Sequence, residues 1–386
     1  MKISKYGIKY FFLMLILIYP IGYFYFFPQA RYIYSLGKWI VICLGGLVYL
    51  KKIYVPSKVT ILIIVLEVYL GLITLLRGGN ISTWMNYALP NIAMAFLSDY
   101  GIKRNPKVVI KSVGIIGLAH LIINVALGNV SYNGMNWYWL GLRVRIASYA
   151  FPIIAVQAIA FFYFKKNRRY KLSCLLALVT TVGISIQFFL MEQVATALVS
   201  LGVLIIYFII FNFTGWVTKT IALKAWIIEI LINIGIVFFG IQSRFAWLIE
   251  GVLGKSLTFT GRTTIWNSAF QQGLKHFVIG SGIGTAQVFN NNGVTYEHNQ
   301  LLNMFYSGGL VALVLFLTIV FICMKNVCHI EHSMFNKIMA AVILACSIEM
   351  VTEHPFENAL FVVVLVIAYH SSYIQKVLEG YNDINN

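Results

Sequence analysis

His298 sits between Glu297 and Asn299, directly before a long apolar run. An imidazole titrates near pH ~6.5, so at neutral pH it can take a proton from a hydroxyl or hydrogen-bond a phosphate. Glu353, His354 and Glu357 supply further acid–base groups some fifty residues on. Four arginines, Arg143, Arg145, Arg244 and Arg262, lie outside the most basic stretches of the chain. A guanidinium forms planar, bidentate contacts with phosphate oxygens, which suits a diphosphate. Plainer readings stand beside these. His298 can simply cap the helix that follows it, and the arginines can bind lipid headgroups or make structural ion pairs.

Other residues invite chemistry less directly. Gly280, Gly282 and Gly284 form a G-x-G-x-G run, but a dinucleotide fingerprint needs a strand before it and a helix after it, so a tight turn is the better account. Cys323, Cys328, His329 and His332 fit no standard zinc spacing. The stretch Asn129, Tyr132, Asn133, Asn136, Trp137, Tyr138 and Trp139 offers aromatic faces and amides. Glycan contact and an interfacial aromatic belt explain it equally well. Glu67 falls in the middle of an apolar run, where a carboxylate must face protein or water. Glu192 and Glu250 have no special neighbours and read as solvated.

The elements that must position these groups are membrane spans. Of 386 residues, 60% are hydrophobic and 11% charged, whereas soluble domains carry about 25% charged residues. The apolar residues come in long runs that match a bilayer. About twelve spans are expected: Tyr10–Phe27, Ile33–Leu50, Val59–Leu76, Trp84–Ser98, Val108–Leu127, Ala147–Phe164, Leu172–Leu190, Val194–Phe213, Ala225–Ser243, Gln300–Met324, Ile338–Val351 and Asn358–Gln375. Lys2, Lys5 and Lys9 before the first run resemble a signal peptide, but the run is long and no small-residue cleavage site follows, so it reads as a retained helix. The net charge of +17 sits between the apolar runs. That is the pattern of topology signals and headgroup contacts, and no nucleic-acid motif accompanies it. With both termini in the cytoplasm, most of the 29 basic residues fall on the inner side. The chain then reads as one integral membrane domain, residues 1–386, with its largest outer loop over 244–299, between the ninth and tenth spans. The five cysteines form no paired framework.

Three pieces of this loop occur in an order that resembles the O-antigen ligase / Wzy polysaccharide polymerase family. They are Gly261-Arg262-Thr263-Thr264-Ile265-Trp266, the Gly280–Gly284 turn, and Glu297-His298-Asn299-Gln300 followed by Gly308-Gly309. Arg143-x-Arg145-x-x-Ser148 with Pro152 looks like the family's arginine-bearing start of a mid-chain helix. The specific match covers roughly sixty residues. Elsewhere the likeness is one of topology. One departure stands out: Gln193-Val194-Ala195-Thr196-Ala197 replaces a Ser-Arg pair common in the family, leaving a diphosphate to fewer residues or to others such as Arg244.

The resemblance implies an all-α, inner-membrane glycosyltransferase that moves a growing glycan from undecaprenyl diphosphate onto a lipid-linked repeat unit at the outer face. It implies His298 and Glu297 as catalytic groups. Arg143, Arg145, Arg244, Arg262, Asn299, Glu353 and His354 would contact the diphosphate and glycan. Neither a metal nor a nucleotide cofactor is expected. The implied partners are the lipid-linked oligosaccharide, membrane lipids, and a chain-length regulator and flippase of the same pathway. A ligase of the same family, or a lipid-linked oligosaccharide flippase, remains an open alternative.

Overall fold

Away from water each peptide group must find its partner within its own segment, which turns long apolar runs into helices. The computed structural model describes residues 5–30, 55–132, 134–164, 168–213, 221–252, 254, 262–285, 288–290, 293–295, 297–329 and 333–379, with scattered positions between 32 and 43. It is 82% helical with almost no sheet, as an all-α membrane protein requires. The span expected over 33–50 falls largely outside the described residues. So do Lys2, Arg31, Lys38, Lys51, Lys52, Asn133, Lys165, Lys166, Lys219, Lys255, Gly261 and His332.

In chain order the main helices are α1 (Lys5–Leu17), α2 (Lys58–Leu76), α3 (Ile81–Arg104), α4 (Pro106–Leu127), α5 (Ala147–Tyr163), α6 (Arg168–Met191) and α7 (Ala195–Phe213). They continue with α8 (Ile221–Phe239), α9 (Arg262–Lys275), α10 (Gln300–Val327), α11 (Met334–Glu349), α12 (Ala359–Tyr369) and α13 (Ser371–Glu379). Seven of these, α2, α4, α5 to α8 and α10, are long and apolar enough to cross a membrane; α12 and α13, bent by 72°, would make an eighth span together. The other expected spans take different forms. The first apolar run stops being helical after Leu17, α3 is long but polar at its end, and α11 has 16 residues.

The bundle has two chemically different ends. At one, Tyr163 meets Ser333 and Phe335, His370 meets Asp99, and Tyr373 donates to the Lys103 carbonyl. Lys58, Arg104, Lys107, Arg168, Arg169, Lys224, Lys325, Lys337 and Lys376 belong to the helix termini gathered there. At the other end a three-stranded antiparallel sheet, β1 (Asn129–Tyr132), β2 (Met135–Tyr138) and β3 (Gly141–Leu142), leads into α5. Its Trp139 is anchored by His120, whose ring in turn reaches the Ile18 carbonyl. Gly22 packs so tightly beneath it that a Cβ would lie 1.7 Å from the Tyr138 oxygen.

The described residues of the 244–299 stretch hold regular structure. They include α9, a glycine turn, and the hairpin β4 (Val288–Asn290) and β5 (Gly293–Thr295). The glycine turn repairs a break in α10. Gly309 has φ +65° and ψ −164°, so the helix stops there and restarts. The Tyr306 and Ser307 carbonyls accept instead from Ser281 and Gly282 N–H, the Gly308 carbonyl accepts from Tyr69, and Leu310 and Val311 donate to Phe277 and Val278. The Tyr306, Ser307 and Gly308 carbonyls and the Leu310 and Val311 N–H groups thereby find partners outside the helix, as burial demands. Gly280 is obligatory here: φ is +76°, and a Cβ would lie 2.4 Å from the Gly309 nitrogen. The turn is also tied to α2 and α3, through Ile283 N–H to Thr74 Oγ1 and Asn80 N–H to the Ile283 carbonyl.

Candidate functional site

The site lies at the sheet-bearing end, where the start of α10 meets the loop between α11 and α12. Asn299 organises it. Its side-chain oxygen caps α10 by accepting from Leu302 N–H at 2.9 Å, and its amide donates to Asn233 on α8 and to the Val351 carbonyl. Its own N–H donates to His354 Nε2 at 3.1 Å. That bond fixes the His354 tautomer, leaving Nδ1–H to face Glu357 at 3.1 Å. Gln300 completes the join by accepting from Phe356 N–H. Helix capping is thus the work of Asn299 and not of its neighbour His298.

His298 adopts φ +52°, a left-handed conformation that costs a non-glycine residue about 1–2 kcal/mol. Such strain persists only where the surroundings over-determine it, and it concentrates at functional sites. Here Asn299 is fixed on one side, while on the other Glu297 is buried and accepts from Asn303 one turn into α10. His298 Nδ1 faces Glu353 Oε1 at 3.5 Å, and Arg262 Nη2, from the first turn of α9, reaches the same oxygen at 3.1 Å. A parallel pair stands beside it: Arg145, in the short 3₁₀ turn before α5, reaches Glu357 Oε2 at 3.4 Å.

The electrostatics follow from this pairing. Burial alone would push the Glu353 carboxyl up; His298, Arg262 and Arg145 outweigh it and hold the group below the usual carboxylate range. Glu357 is likewise pushed up by burial but pulled lower still by His354, Arg145 and His298. His298 is shifted the other way from a simple ion-paired histidine. Burial drives its pKa down, Glu353 opposes, and Arg262 and His354 reinforce the fall. The result is two ionised carboxylates and a neutral imidazole. With Nδ1 turned to Glu353 Oε1 at 3.5 Å, the ring has the carboxylate-facing orientation that a general base requires.

Of the residues expected from the sequence, the structure brings together His298, Asn299, Arg145, Arg262, Glu353 and His354. Glu297 braces α10 through Asn303. Arg143 and Arg244 stand apart. Arg143 is exposed and donates to the Glu192 carbonyl at 3.1 Å, and Arg244 is exposed just beyond α8. Of the Cys323, Cys328 and His329 group, Cys323 donates its thiol to the Leu365 carbonyl. Glu67 is held by Asn91, which also donates to the Phe356 carbonyl and so ties α2 and α3 to the site loop.

Glu349 was not singled out by its type, yet it belongs to the site. It is buried at the end of α11 and accepts from Ser148 Oγ at 2.5 Å. The regular spacing Glu349, Glu353, Glu357 across a helix end was the available signal. Asn233 gave none, since its partner Asn299 lies 66 positions away. Compared with known proteins, the chain matches no family model and no curated sequence.

Proposed function

We propose that this protein is a polysaccharide polymerase. It transfers a growing glycan from undecaprenyl diphosphate onto a lipid-linked repeat unit at the outer face of the cytoplasmic membrane, within a chain of about twelve passes. The observation that carries this reading is the strained, neutral His298 held by Glu353 beside two half-buried guanidinium–carboxylate pairs. The separation of the basic helix termini from this end agrees with a site facing outward. In the reaction an acceptor hydroxyl attacks the anomeric carbon of the donor. The bond to the diphosphate oxygen breaks, the proton passes to His298 Nε2, and the lipid diphosphate leaves as an anion. Arg262 and Arg145 turn from their carboxylates toward that anion as charge develops on it, and the exposed Arg143 and Arg244 steer it inward.

Deleting the gene and resolving the surface glycan on a gel tests this. A single repeat unit in place of polymer is the expected phenotype, whereas polymer stranded on its carrier would indicate a ligase and no exported unit a flippase. Complementation with His298→Asn sharpens the test. Asparagine accepts the left-handed backbone but cannot act as the base, so the variant should melt no lower than the parent and restore no polymer. Polymer of normal length from this variant would overturn the assignment of His298.

A further inference from the structure

Between Asp99 and Glu192 the sequence contains no acidic residue. Five cations of that stretch belong to two adjoining helix starts at the basic end of the bundle. Lys107 and Lys111 lie in the first two turns of α4, and Arg168, Arg169 and Lys171 in the first turn of α6. Lys111 joins the two, because its Nζ lies 5.3 Å from the Phe164 ring centre and 5.3 Å from that of Tyr170 on α6. Lys171 Nζ lies 5.3 Å from the centre of the Phe161 ring at the end of α5. Lys107, Arg168, Arg169 and Lys171 are exposed, and among the described residues none of the four makes an ion pair. Asp99, at the same end, is buried and already engaged by His370, Lys103 and the Ser57 N–H.

Past these cations the two helices turn aliphatic without being covered. On α6, Arg168, Leu172, Leu176 and Val179 follow at helical spacing along one face, and the three apolar residues are 54%, 58% and 59% exposed. On α4 the row is Lys107, Lys111 and Ile115, the last 58% exposed. Lys107 with Lys111, and Arg168 with Lys171, stand one turn apart, where like charges repel, so the cluster is matched to an anion. A soluble phosphate would answer the cations and leave the aliphatic rows in water. A zwitterionic headgroup brings an ammonium that the cluster repels. An anionic headgroup with acyl chains answers both rows at once. We propose that the α4–α6 face at the basic end is a binding site for an anionic phospholipid. Its phosphate lies among the five cations and its chains run along Leu172, Leu176, Val179 and Ile115. The site is at the opposite end of the bundle from His298 and stands independently of the transfer reading.

The test uses purified full-length protein in detergent, titrated with phosphatidylglycerol, cardiolipin or phosphatidylcholine and read as lipid adducts by native mass spectrometry. The two anionic lipids should bind about tenfold or more tightly than phosphatidylcholine. Combining Lys107→Gln, Arg168→Gln, Arg169→Gln and Lys171→Gln should erase that preference, glutamine being a comparable helix former. Arg168→Gln alone, a single exposed change, should already weaken anionic-lipid binding by roughly threefold to fivefold. Lys224→Gln, Lys325→Gln and Lys376→Gln together remove exposed cations elsewhere at the same end and should leave the preference in place. Glycerol phosphate, a headgroup without chains, should compete only in large excess. Four results would each overturn the site: equal binding of phosphatidylcholine, indifference to the α4 and α6 substitutions, an equal loss in the control variant, or competition by glycerol phosphate at the lipid's own concentration.

Discussion

At the scale of single residues, the site is a balance between carboxylates and cations in which His298 is kept neutral. Because its pKa lies below that of a free imidazole, the base-competent form persists as pH falls past the ordinary histidine range. The neighbours act with opposite sign. Arg262 lowers the His298 pKa and Glu353 raises it, so Arg262→Gln should move the acid limb of the pH–rate profile to higher pH. Glu353→Gln should move it to lower pH, and both should reduce the rate. Transfer measured across pH with a synthetic lipid-linked acceptor checks this, and limbs shifting in the same direction would contradict the assigned roles. His298, Arg262 and Arg145 were legible in the sequence because basic or imidazole groups outside the most basic connecting stretches are conspicuous. Their partners were less so. That Arg262 is already matched to Glu353, 91 positions away, depends on packing that no local pattern encodes.

At the scale of elements, the start of α10 carries the site and its break defines it. As one rod, its 28 residues would be about 42 Å long, well beyond a hydrocarbon core of roughly 30 Å. The sequence displays both glycine groups, at 280–284 and at 308–309, and reads the first as a tight turn. It does not show that the turn's N–H groups satisfy the carbonyls freed by the break, since hydrogen-bond exchange between segments leaves no periodicity. Gly280→Ala and Gly309→Ala should each cost roughly 2 kcal/mol or more, through a forbidden φ and a backbone clash. Thermal melts of the purified protein measure this. Alanine at Gly37 or Gly183, where a Cβ meets nothing within 4 Å, should be mild by comparison.

At the scale of the whole molecule, charge and apolar length were the legible quantities. Helices formed at most expected spans, and seven or eight of them are long and apolar enough to cross a membrane; others are shorter or broken. Glu349 closes α11 with a hydrogen bond to Ser148, and Pro20 lies just past the end of α1. The separation of the two ends is directly testable. With Cys43 replaced, the remaining native cysteines are buried, so an impermeant maleimide reads single introduced thiols in intact cells. Lys275→Cys should label from outside and Lys376→Cys only after permeabilisation; the reverse would invert the proposed orientation. The interrupted α10 carries a structural corollary. The Gln300–Gly308 stub is held by hydrogen bonds to Ser281, Gly282 and Tyr69 as well as by the rest of its own helix, so the placement of the Asn299 cap depends on the glycine loop and on α2 as much as on the span that follows.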